Sequence, residues 1–235
     1  MSRSEDPPRR SASIPLRHAI ASATLQRHDM TAAPSPDFVY LASQSPRRRQ
    51  LLEQIGIRHE LLLPGAEEDA EALEAVIDGE SPDDYVRRVT AAKLDAALQR
   101  RERRGLPPAP VLCSDTTVAI GDRILGKPDD AAHASAMLAS LSGREHRVLT
   151  AVAIGTPDGR VLSAVNVSLV RFAEIGDERL RAYVASGEPM GKAGAYAIQS
   201  QAAAWIEHIA GSYSGIMGLP LFETAQLLRE AGVVV

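Results

Sequence analysis

The run Leu41-Ala42-Ser43-Gln44-Ser45-Pro46-Arg47-Arg48-Arg49 places a short polar turn between an apolar stretch and three consecutive arginines. Ser45-Pro46 reads as an N-cap followed by the residue best suited to the first helical position, so strand, turn and helix N-terminus should follow one another. Free backbone N–H groups at such an end collect anions. Arginines there oppose the helix dipole, which favours acids by roughly 0.3–1 kcal/mol each. Two readings stand: a solvated basic turn, or a strongly negative ligand on it, and a triphosphate would satisfy both the dipole and the guanidinium forks. Lys93 lies at the edge of the apolar face Tyr85, Val89, Ala92 and Ala96, where it either snorkels to water or reaches an anion in a cleft. Asp115 closes the apolar run Pro110–Ser114 and suits a base or metal ligand at a cleft edge, although a lone Asp in such a place is more often a turn cap. Lys127 in Gly126-Lys127-Pro128 and Lys192 in Gly191-Lys192-Ala193-Gly194 stand in loops where backbone can approach a ligand.

Other chemistries lack their residues. The six histidines, His18, His28, His59, His133, His146 and His208, are scattered without metal-ligand spacing, and Cys113 has no neighbouring base. Neither a Walker-type loop nor a dinucleotide glycine fingerprint is present. A net charge of −4 and only 4% aromatics argue against nucleic-acid coating. No apolar run approaches the length of a membrane span and none has signal-peptide layout, so a soluble, cytoplasmic protein without a membrane partner is expected; the single cysteine agrees with a reducing compartment.

The elements that must position these residues begin near Asp37. Residues 1–36 carry Pro7-Pro8-Arg9-Arg10 and no periodicity, and read as a disordered extension, with Met30 as an alternative start; residues 37–235 read as one domain. Strands are expected over 38–42 and 57–63 around a helix from Ser45 to Gly56, and a second helix starts at Ser81-Pro82. A short strand over 110–115 precedes a hairpin, 117–120 with 123–125 around Gly121-Asp122. A helix capped by Asp129/Asp130, long strands over 147–155 and 160–172, a helix over 177–186, a strand over 203–209 and a last helix near Leu219-Pro220 complete the order. Helices mixed with hairpins predict an α/β fold on a mixed sheet.

Taken together, the segments Leu41-Ala-Ser-Gln-Ser-Pro-Arg-Arg-Arg, Ser114-Asp-Thr, Leu125-Gly-Lys-Pro, Leu141-Ser-Gly, Lys192-Ala-Gly-Ala-Tyr-Ala-Ile-Gln199 and Gly211-Ser-Tyr through Gly218-Leu-Pro-Leu resemble the Maf family of nucleotide pyrophosphatases. The resemblance runs from about Phe38 to Ala231. It implies an elongated, two-lobed fold with a central cleft, like that of the inosine triphosphate pyrophosphatases. It implies hydrolysis of a nucleoside triphosphate between the α and β phosphates with a divalent cation, Mg²⁺ or Mn²⁺, and by family habit a homodimer. By position, Asp115 would be the base. Ser43, Arg47, Arg48, Lys93, Lys127 and Lys192 would hold phosphates, and Glu68 would share the metal with Asp115. Glu68 is otherwise a solvated acid in the run Glu67-Glu68-Asp69. Arg47, Thr116 and Gln199 resemble the subgroup acting on dTTP and UTP, which would clean nucleotide pools, rather than the one acting on 7-methyl-GTP. A nucleotide-binding regulator of cell division is the reading from another class.

Overall fold

The computed structural model describes residues 37–66, 68–69 and 71–235; the expected N-terminal extension and the alternative start at Met30 lie outside the described residues. The strand β1 (Val39–Leu41) is fully buried and runs through the helix α1 (Pro46–Gln54) to β2 (His59–Leu61), which pairs with β1 in parallel. The long helix α2 (Pro82–Arg103) starts on Ser81, whose hydroxyl accepts from the Asp84 N–H at 3.1 Å. Its first turn carries Asp83 and Asp84 and its last turn Arg100, Arg101 and Arg103, the order the helix dipole favours. Next come β3 (Val111–Ile120) and the short β4 (Arg123–Leu125), a hairpin closed at Gly121, whose φ of 57° suits glycine. The helix α3 (Ala131–Leu141) is capped by Asp130 and followed by β5 (Glu145–Gly155) and β6 (Val161–Phe172). The chain ends through α4 (Asp177–Ala185), β7 (Ile206–Ala210), α5 (Tyr213–Met217) and α6 (Leu221–Glu230). None of these helices is long and apolar enough to cross a membrane, among the described residues.

The expected α/β fold on a mixed sheet is present: seven strands in the order β2-β1-β3-β5-β6-β7, with β4 on β3. Two elements differ from the sequence expectation. The short strand and the first hairpin arm are one strand, so Asp115 lies in the middle of β3 rather than at its end. Residues 201–205 form a 3₁₀ turn and only 206–210 a strand, because Ala202, Ala203 and Ala204 lack the branched side chains that pack on a pleated surface.

The sheet has a gap, and the gap makes the site. On one side β3 is paired with β5 from Val111 to Ala119. On its other side β1 covers only Val111 and Leu112, and β4 only Val118 to Ile120. Residues 113–117 therefore face no strand there. Cores gather on either side of this interruption. One packs Met137, Leu138 and Leu141 of α3 with Val118, Phe172, Tyr183 and Tyr196. The others place α1 and α6 on one face of the sheet, through Leu51, Leu52 and Leu227, and α2 on the opposite face, through Val86, Val89 and Leu94.

His146 lies inside the first core, 2% exposed, with Nε2 2.7 Å from the Tyr196 hydroxyl. Burial pushes its imidazole down to about 4. The unfolded chain, with an ordinary histidine near 6.5, takes up the proton first as pH falls. This contribution to stability is thus complete above about pH 6.5 and is lost as pH falls toward about 4, up to about 3 kcal/mol at roughly 1.4 kcal/mol per pKa unit. Melting curves between pH 7 and pH 4 should show this slope. His146→Gln, which can still accept from Tyr196, should flatten it, and an unchanged slope would assign acid sensitivity to other groups.

Candidate active site

A cavity of about 530 Å³ fills the gap, lined by Ser43 and Arg47 from the β1–α1 turn, Lys93 from α2, Asp115 from β3, Lys127 after β4 and Gln199. The alternation of β3 sends its polar side chains to opposite faces of the sheet. Asp115 points toward α2, where its Oδ1 lies 2.6 Å from Lys93 Nζ. Thr116 points toward α1 and α5, where its hydroxyl accepts from Arg48 Nη2 at 3.4 Å and from Thr150 at 3.0 Å. These three polar residues are tolerated in a buried strand because each has a partner: Ser114 Oγ lies 2.8 Å from the Ala151 carbonyl and 3.0 Å from that of Gly218. Lys93 thus fixes Asp115 through Oδ1, and among the described residues Oδ2 makes no hydrogen bond.

The β1–α1 turn folds on Ser43. Its hydroxyl accepts from the Ser45 N–H at 3.2 Å and from Arg48 Nη1 at 3.2 Å, and Ser45 makes no side-chain cap to the helix. Arg48 also donates from Nε to the Gly218 carbonyl at 2.8 Å. It therefore ties β1, β3 and the α5–α6 turn together, a fixed cation at the rim. Arg47 uses only Nε, on the Met217 carbonyl at 3.3 Å. Gly218 sits at φ 119°, and a Cβ there would lie 3.5 Å from Arg48 Nε and 3.6 Å from Thr116 Oγ1, so the turn comes closest where side chain is absent.

Electrostatically the cavity is short of anions on this side. Burial lowers the pKa of Arg47, of Arg48 against the opposing charge of Asp115, and of Lys192, where the nearby Arg47 adds to the effect. Desolvated cations that repel one another gain from a negative ligand between them. The far side has carboxylates. Lys127 Nζ lies 2.8 Å from Glu74 Oε2, and Lys93 Nζ lies 2.7 Å from Glu74 Oε1. Lys192 donates to the Glu188 carbonyl.

All the sequence-predicted site residues, Ser43, Arg47, Arg48, Glu68, Lys93, Asp115, Thr116, Lys127, Lys192 and Gln199, border this one cavity. Glu68 is not paired with Asp115. Arg100 binds it through two nitrogens at 2.9 and 2.6 Å and Arg103 approaches to 3.3 Å, which holds its carboxyl down to about 2. Sequence reasoning missed Glu74, Arg100 and the Gly218 carbonyl. Arg100 carried a signal, since it lies seven residues past Lys93 on the same helix face, but Glu74 sits in an aperiodic stretch between β2 and α2. Cys113 is fully buried and burial pushes its thiol up to about 12, as expected of a core residue.

The chain is similar to known proteins over most of its length. The model of the Maf-like protein family matches residues 38–231. A dTTP/UTP pyrophosphatase of Ralstonia nicotianae is 64% identical over 203 residues, covering 86% of this chain and 98% of that protein. Another of the same name from Cupriavidus metallidurans is 67% identical over 195 residues, covering 83% and 97%. Among solved structures, a HAM1 protein from Coxiella burnetii aligns over 82% of this chain and 98% of its own at 17% identity and a TM-score of 0.44, a likeness too slight to bear on function.

Proposed function

The chain belongs to the Maf-like protein family, and from that premise we propose that it hydrolyses dTTP and UTP to the nucleoside monophosphate and pyrophosphate. The observation that carries this reading is the cavity in the sheet gap, where the cationic side chains of Arg47, Arg48, Lys93, Lys127 and Lys192 border one space with Asp115, whose Oδ1 is held by Lys93. A triphosphate has about four negative charges and needs such a set to lower the barrier at phosphorus. Ser43 and Arg48 form the rigid end against which phosphates seat. Arg47 and Lys192 supply charge that burial has left uncompensated. Asp115, oriented by Lys93 through Oδ1, takes the proton of the attacking water on Oδ2. The bond from the α phosphorus to its bridging oxygen breaks as the bond to water oxygen forms, and pyrophosphate leaves.

Among the described residues no three His, Cys, Asp or Glu side chains are grouped closely enough to hold a divalent cation alone. A hard cation such as Mg²⁺ or Mn²⁺ requires only one or two carboxylates when phosphate oxygens complete its shell, and Asp115 meets that need. Glu68 would join it on leaving Arg100. The chemistry such a cation supplies is neutralisation of charge on the phosphates. A panel of natural and modified triphosphates, with Mg²⁺ or Mn²⁺, tests the reading. The highest kcat/KM is expected with dTTP, UTP or modified pyrimidine nucleotides, and a preference for 7-methyl-GTP would overturn it.

A further inference from the structure

Lys93 and Lys127 come from different elements, α2 and the loop after β4, yet a single carboxylate joins them. Glu74 Oε1 lies 2.7 Å from Lys93 Nζ and Oε2 lies 2.8 Å from Lys127 Nζ. The backbone beneath it is pinned to α2. The Tyr85 hydroxyl donates to the Glu74 carbonyl at 3.0 Å, and Arg88 donates to the Ala75 carbonyl at 2.9 Å while gripping Glu80 at 2.6 and 2.7 Å. The main chain at this point is held, and only side-chain rotation is needed to withdraw the carboxylate. Burial disfavours the Glu74 charge, but Lys93 and Lys127 outweigh it and its pKa lies below the ordinary value. Glu74 is therefore ionised across the neutral range.

We propose that Glu74 promotes product release: it is a resident anion that occupies the two lysines, yields them to a triphosphate and takes them back from pyrophosphate. The proposal rests on the assignment of Lys93 and Lys127 to phosphate. Its physical basis is a competition of charges. One carboxylate, with its side chain 26% exposed and those of its lysines 19% and 42% exposed, is an ion pair that water screens. A single carboxylate offers one charge and two oxygens, so a ligand with several charges and further contacts at Arg47 and Arg48 displaces it. Once the nucleotide is cut, pyrophosphate has lost the contacts made through the rest of the substrate, and the tethered carboxylate competes with it at high effective concentration. Glu74 then closes again on Lys93 and Lys127, the arrangement seen here. Without it, any polyphosphate that reaches both lysines stays longer.

The test is the dissociation constant of inorganic pyrophosphate, measured by titration calorimetry with a chelator present so that no metal contributes. Glu74→Gln and Glu74→Ala are compared with the unaltered protein and with Glu71→Gln. Glu71 approaches Lys127 only to 3.8 Å and has its side chain 87% exposed. Both Glu74 variants should bind pyrophosphate roughly tenfold tighter, and product inhibition of dTTP hydrolysis should strengthen by a similar factor, while Glu71→Gln changes neither. Unchanged or weaker pyrophosphate binding in both variants overturns the proposal. Because binding is read without turnover, this result is separate from the nucleotide assignment, which fails instead if the unaltered protein hydrolyses no triphosphate.

Discussion

Replacing Asp115 by asparagine should lower the turnover of dTTP by roughly 10²–10⁴-fold, the usual loss on removing a general base. The amide preserves the volume of a residue that is 7% exposed, so the strand should not repack. It cannot accept the proton of water. It also leaves Lys93 without the carboxylate now 2.6 Å away, which adds net positive charge to the cavity. Nucleotide binding should thus be kept or slightly improved while kcat collapses. Lys93→Ala should act in the opposite sense on binding, because it removes a cation from the phosphate region as well as the group that orients Asp115. Single-turnover rates and equilibrium binding of dTTP separate the two. Near-normal hydrolysis by Asp115→Asn would remove Asp115 from the base role.

Exchanging Gln199 for glutamate should reduce kcat/KM for dTTP and UTP by roughly 5- to 150-fold, the range that 1–3 kcal/mol allows for one mismatched group that a bound base covers. Gln199 is exposed on the cavity wall, beyond the rigid segment of Tyr196, Ala197 and Ile198. Its amide offers both a donor and an acceptor, which matches the O4 and N3–H edge of thymine or uracil. A carboxylate only accepts and would face O4 with repulsion, whereas guanine presents N1–H and N2–H₂. The effect should appear in the ratio of kcat/KM between dTTP or UTP and 7-methyl-GTP. An unchanged ranking would show that Gln199 does not read the base. The gain on 7-methyl-GTP should stay small, because Thr116 is fixed by Arg48 and Thr150 rather than free to adapt.

Much of this arrangement was legible in the chain because its signals are local. Ser45-Pro46 and Ser81-Pro82 start helices at the expected places, the first on its proline without a side-chain cap and the second capped by the Ser81 hydroxyl, and Gly121-Asp122 turns a hairpin. The edge position of Lys93 on α2 gave its direction, since helical spacing converts sequence into facing. The middle of β3 was not legible in the same way. Ser114, Asp115 and Thr116 look like the end of a strand, because polar residues in a buried strand need partners, and those partners are Lys93, Thr150, Ala151 and Gly218. Such partners are supplied by the tertiary fold and leave no mark on nearby sequence. The same holds for α5, five residues with Gly215 inside, whose carbonyl lies 2.7 Å from the Thr150 hydroxyl across the sheet. Glu74 lay in a stretch without period, so only the fold reveals that it bridges two lysines.

The most direct test of the central claim is the identity of the products formed from dTTP, followed by phosphorus-31 nuclear magnetic resonance in water enriched in oxygen-18. Attack at the α phosphorus in the sheet-gap cavity predicts thymidine monophosphate and pyrophosphate in equal amounts, with the label on the monophosphate and none on pyrophosphate, and all of it lost in Asp115→Asn. Thymidine diphosphate with labelled orthophosphate would place the attack at the γ phosphorus and contradict the account.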